Sequence, residues 1–71
     1  MMPLSMVKEG EPNTIQRVGG NEEPKRFLEN LGFVTGAKVT VVSTVEGNII
    51  VNVKDSRIAI GKDMANKIMV S

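Results

Sequence analysis

A mainly β domain, a small barrel of about five strands with one short helix inserted, is what this sequence predicts. Three observations carry that reading. Ala37–Val45, Ile49–Val53 and Arg57–Ile60 alternate in side-chain character with period two, and turn residues bound each run. Seven glycines and three prolines cut the 71 residues into pieces too short for a helical bundle. Only one stretch, Asn21–Leu31, carries full helical spacing with start and stop signals.

At the beginning of the chain, Leu4 and Val7 stand three apart, as one helical turn or a tuck against the core would place them. Met6 lies between them, either exposed or filling a gap. Lys8–Asn13 is a polar turn. Thr14–Val18 follows as the first strand. Ile15 and Val18 break strict alternation, so a bulge or strong local twist is expected to turn both inward. Gly19-Gly20-Asn21 leads into the helix.

Asn21 is placed to cap that helix, and Glu22 and Glu23 sit where the dipole of the first turn favours negative charge. Pro24 is tolerated there because first-turn amides lack intrahelical partners. Phe27, Leu28 and Leu31 share one face at helical spacing. Gly32 is expected in the left-handed conformation that stops a helix, with Phe33 packing back on Leu28. Gly36 marks a second turn before the long strand.

In Ala37–Val45 one face holds Ala37, Val39, Val41, Ser43 and Val45. Pairing Val45 with Ile49, Ser43 with Val51 and Val41 with Val53 keeps the large residues inside, which requires a loop of three or five residues. Lys54-Asp55-Ser56 turns the chain into Arg57–Ile60, with Ile58 and Ile60 inward. Gly61–Asn66 suits one helical turn, and Lys67–Val70 returns as the last strand with Ile68 and Val70 inward.

Composition excludes several functions. The chain has no His, Cys, Tyr or Trp, so no Ser-His or Cys-His nucleophile can be assembled, and an enzyme is not expected. A transition metal would have to do without imidazole or thiolate. Glu22, Glu23, Asp55 and Asp63 offer oxygen, but the helix dipole accounts for the first two and a turn for Asp55. No metal site or cofactor is therefore expected. A net charge of +1 with both signs dispersed, and only two phenylalanines for stacking, argue against nucleic acid. No apolar run approaches the roughly 20 residues that span a bilayer, so direct membrane insertion is not expected. Met1–Val7 has no basic flank or cleavage pattern of a signal peptide. The glycines lack a following Lys-Ser or Lys-Thr, so they read as turns rather than a phosphate loop.

A helix ending in Leu31-Gly32-Phe33, two residues, Gly36 and then a valine-rich strand resembles the FeoA family, small bacterial accessory proteins of ferrous iron uptake. Pro3-Leu4-Ser5, Gly10-Glu11 and Thr14-Ile15 are similar to the family's opening, and Val18-Gly19-Gly20 to its first strand and glycine turn. Arg57–Ile60 and Ala65–Val70 are similar to its ending. The resemblance implies a single SH3-like barrel over residues 1–71. It also implies a cytoplasmic accessory role, peripheral to the inner membrane, through binding to a FeoB-type membrane GTPase transporter. Self-association is left open. The family carries an association with transition-metal binding, which the ligand set of this chain does not support. A second resemblance, to the C-terminal domain of DtxR-like metal-dependent repressors, implies the alternative of a regulatory domain. A repressor would need a winged helix for which the 71 residues leave no room. A nucleic-acid-binding barrel is the third reading.

Within that frame Leu31, Gly32, Phe33 and Gly36 are expected to be structural. The candidate partner-binding residues are Val42 and Ile50. The register above makes them diagonal neighbours on the outward face, among Lys38, Thr40, Thr44, Asn52 and Lys54. Two large aliphatic side chains there want a cover, either from the helix or N-terminal segment or from a partner.

Overall fold

The short apolar runs fold into six strands in the computed structural model, which describes Met1–Ser71. In chain order these are β1 (Met2–Pro3), β2 (Pro12–Val18), β3 (Lys38–Val45), β4 (Asn48–Val53), β5 (Ser56–Gly61) and β6 (Ile68–Val70). A 3-10 turn, Leu4–Met6, follows β1; the helix α1 (Glu22–Asn30) separates β2 from β3, and α2 (Lys62–Ala65) precedes β6. The strands lie in the order β1-β6-β2-β3-β4-β5, every neighbouring pair antiparallel. β1 is one strand more than the sequence suggested. It pairs Met2 with Val70 and Pro3 with Met69, and two residues show no period from which a strand can be read.

The interior is wholly apolar. Fourteen hydrophobic residues form one buried cluster, and no polar or charged residue is buried. Ile15 and Val18 are both in it, because β2 shifts register between Ile15 and Arg17 as the broken alternation required. Val39, Val41, Ile49, Val51, Val53, Ile60, Ile68 and Val70 complete the strand side of the core; Ile58 is only half-buried. Leu4 closes the N-terminal end, with Val7 packed against the cluster.

The helix stop forms as expected. Gly32 has φ +110°, its N–H donates to the Glu29 carbonyl (3.0 Å), and the Phe33 N–H donates to the Leu28 carbonyl (3.0 Å). These two bonds are the Schellman pair, and Leu28 and Phe33, both fully buried, supply its hydrophobic contact. Asn21 holds the cap position without a side-chain hydrogen bond. Phe27 departs from the expectation: it is 54% exposed, while Leu28 is buried and Leu31 half-buried. On a helix of only nine residues Leu28 fills the contact with the core, and Phe27, one position before it, is turned about 100° away.

The β3–β4 register also differs from the one argued above. Val41 pairs with Val51 and Val39 with Val53; beyond a bulge at Val42, Ser43 pairs with Ile50, Thr44 with Ile49 and Val45 with Asn48. The loop is Glu46-Gly47 alone, with φ of 46° and 83°, the two left-handed residues of a type I′ turn. Such a turn suits the twist of the strands, and the extra residue at Val42 corrects the parity that an even loop would otherwise upset. As a result Val39 and Val41 stay inside with Ile49, Val51 and Val53, while Val45 emerges 51% exposed and Ser43 leaves the core face. Lys54-Asp55 closes β4–β5 in the same way, with φ of 48° and 64°.

Candidate docking surface

With an apolar interior, the chemistry of this chain lies on its outside. The outward face of β3–β4–β5 is laid out in rows by the strand pairing: Thr40, Asn52 and Arg57 in one, Ser43, Ile50 and Ala59 in the next. Arg57 Nε donates to Asn52 Oδ1 at 3.3 Å, tying the first row together. The second row carries Ile50, half-buried, between two small residues. Val42 is also half-buried and sits at the bulge beside Ser43, so the structure brings Val42 and Ile50 to neighbouring places by a route other than the expected register. Ser43, not Thr44, stands opposite Ile50, and Thr40, not Val42, stands opposite Asn52. The Gly10 N–H donates to the Val41 carbonyl at 2.8 Å and anchors the loop before β2 at the same bulge.

The other expected site residues, Leu31, Gly32, Phe33 and Gly36, lie at the helix stop and in the turn after it. Leu31 and Phe33 flank the helix stop, and Gly36 (φ +91°) donates its N–H to the Ile15 carbonyl at 2.8 Å. The long Lys54 side chain lies alongside Gly32. Lys54 and Asp55 also rim a shallow, open depression with Lys38, Thr40 and Asn52, where Lys38 Nζ donates to Thr14 Oγ1 at 2.9 Å. Ala37 and Val53 complete its lining, and its charged side chains are all exposed. No group of three or more His, Cys, Asp or Glu side chains comes together to hold a metal ion. Met6, expected either exposed or filling a gap, is exposed, and so is Phe27, which was expected to share the apolar face of Leu28 and Leu31. For Phe27 the usable signal was the adjacency of Leu28, since both cannot point at one small core.

An apolar core enclosed by a six-stranded antiparallel sheet whose edges are β1 and β5 defines a small β-barrel domain. The FeoA domain family model matches residues 2–71, and the chain belongs to the FeoA family of ferrous iron transport accessory proteins. It is 36% identical over 70 residues to an Fe(2+) transport protein A of Methanocaldococcus jannaschii, covering 99% of this chain and 85% of that one. Among solved structures it is similar to the crystal structure of a FeoA iron uptake regulatory protein. The TM-score is 0.89 at 30% identity, covering 97% of this chain and 93% of the other. It is also similar to Stenotrophomonas maltophilia FeoA, described as a prokaryotic SH3 domain protein and crystallised with zinc. There the TM-score is 0.87 at 27% identity, covering 100% of this chain and 91% of the other. The SH3-like barrel expected from the sequence is therefore the fold of this chain.

Proposed function

We propose that this protein acts in the cytoplasm by docking on the cytoplasmic region of a FeoB-type GTPase transporter, and that Val42 and Ile50 belong to the docking surface. The observation that carries the proposal is the wholly apolar, fully occupied interior within a FeoA domain. With no buried polar group to hold a small ligand, recognition falls to the exterior, where two half-buried aliphatic side chains sit among polar neighbours. No helix is long and apolar enough to cross a membrane, so the transporter supplies the membrane part in this reading.

The test is co-purification with the cytoplasmic domain of the transporter, with and without guanine nucleotide, for the native chain and for Ile50→Lys. A half-buried position on an outer face accepts lysine with a loss of about 1 kcal/mol or less, so the variant is expected to melt near the native temperature and to lose the partner. A stable variant that still binds would remove Ile50 from the surface. Failure of the native chain to bind under every nucleotide condition would end the docking reading itself.

A further inference from the structure

β5 ends the strand order, with β4 as its only neighbour. The type I′ turn at Lys54-Asp55 makes Val53 and Ser56 the hydrogen-bonded pair that closes the hairpin. By alternation Ile58 and Ile60 then also bond to β4, through their partners Val51 and Ile49. The N–H and C=O groups of Arg57 and Ala59 therefore point away from the sheet. None of the backbone hydrogen bonds outside helices and strands involves either residue. Both side chains are exposed, and Ala59 stands opposite Ile50, so this open edge runs along the apolar spot described above.

The inference rests on the docking reading and gives it a geometry. We infer that the open edge of β5 receives an extended segment of the transporter's cytoplasmic region as an added strand, with a carboxylate opposite Arg57 and an apolar residue opposite Ala59. Charge selects that occupant. Arg57 is exposed within the strand and is its one charged residue, while beyond its two ends the pairs Lys54-Asp55 and Lys62-Asp63 balance in charge. A carboxylate on the incoming strand adds a favourable cross-strand pair with Arg57. Charge also disfavours a second copy of this chain. The outward groups can meet about a two-fold axis in three registers that engage both Arg57 and Ala59. One sets Arg57 against Arg57 of the second copy, another brings Lys54 towards Lys62, and the third brings Asp55 towards Asp63. Like charges across such a pair are destabilising. Ala59 is small enough to admit a larger side chain over Ile50, and the edge contains no proline to block pairing.

Amide hydrogen exchange tests this on the full chain, free and bound to the transporter's cytoplasmic domain. In the complex the Arg57 and Ala59 amides are expected to slow by about tenfold or more, while Ile58 and Ile60, already bonded to β4, change little. Ala59→Pro removes an outward N–H without breaking the ladder to β4, and is expected to weaken binding by about tenfold or more. Arg57→Glu is expected to weaken binding and to make its salt dependence smaller. Should the proline variant not fold, exchange in the unaltered chain decides alone. Binding that leaves both amides exchanging as in the free protein overturns the added strand and leaves docking standing. Absence of any binding by the native chain overturns both. Protection of the same amides in concentrated protein without the transporter assigns the edge to self-pairing and overturns the inference.

Discussion

Replacing Gly32 by alanine tests whether backbone conformation, rather than contact, fixes the end of α1. At φ +110° a residue with a Cβ is forced into the left-handed half of conformational space, at a cost of about 1–2 kcal/mol. The new methyl group would also meet Lys54 Cδ at 3.3 Å, a tight approach to the far part of a flexible side chain, which can move aside cheaply. Strain should therefore dominate. In a domain of this size a loss of 1–2 kcal/mol lowers the melting temperature by about 4–16 °C. Gly36 supplies the control: it has φ +91° with open space where a Cβ would lie. Gly36→Ala should cost a comparable amount by strain alone. Gly32→Asn should cost less than Gly32→Ala, since asparagine tolerates positive φ better. The assay is thermal unfolding followed by far-ultraviolet circular dichroism for the three variants. Adding Lys54→Ala to Gly32→Ala should restore little. Full restoration by that second change would show that contact, not φ, requires the glycine, and an unchanged melting temperature for Gly32→Ala would refute the helix stop.

Phe33→Ala or Leu28→Ala removes one half of the buried contact beneath the stop. Each should cost about 3–5 kcal/mol, a large part of the roughly 4–10 kcal/mol expected for so small a domain, and urea titration should show the midpoint collapse. Phe27→Ser, in contrast, should stay within about 0.5 kcal/mol of the native chain in the same titration, because the ring is more than half exposed. Glu46→Asn converts the β3–β4 turn to Asn-Gly at φ of 46° and 83° and should raise stability by about 0.5 kcal/mol, measured as a higher melting temperature. Anaerobic calorimetry with ferrous iron should show no stoichiometric micromolar site, since the chain has neither imidazole nor thiolate; a clear site would point first to Glu22, Glu23, Asp55 and Asp63.

Features set by local chemistry were legible in the sequence. The Leu31-Gly32-Phe33 stop, the bulge implied by Ile15 and Val18, and the short turn of helix before β6 all depend on residues within a few positions of one another. The features missed depend on partners far along the chain. β1 exists because β6 offers an edge to Met2 and Pro3. Phe27 is exposed because Leu28 and Phe33 already occupy the core where α1 meets it, a competition that helical spacing does not reveal.

The β3–β4 hairpin shows how these two levels interact, and why the docking surface was only half legible. Alternation correctly placed Val39, Val41, Ile49, Val51 and Val53 inside, and from those residues alone an odd loop follows. A two-residue turn with matching twist is the better closure locally, however, and it fits only if one strand gains a residue. Nothing in Val41-Val42-Ser43 marks that insertion; the anchoring of the Gly10 N–H on the Val41 carbonyl is a long-range contact. The bulge moves Val45 out to solvent, sets Ser43 opposite Ile50 and leaves Val42 beside them. The β4–β5 ladder is set separately, by the two-residue Lys54-Asp55 turn, which turns the Arg57 and Ala59 amides outward whatever happens at Val42. A change that removed the bulge would therefore rearrange the spot around Val42 and Ile50 and leave the open edge of β5 as it is, so that the two parts of the surface can be perturbed one at a time.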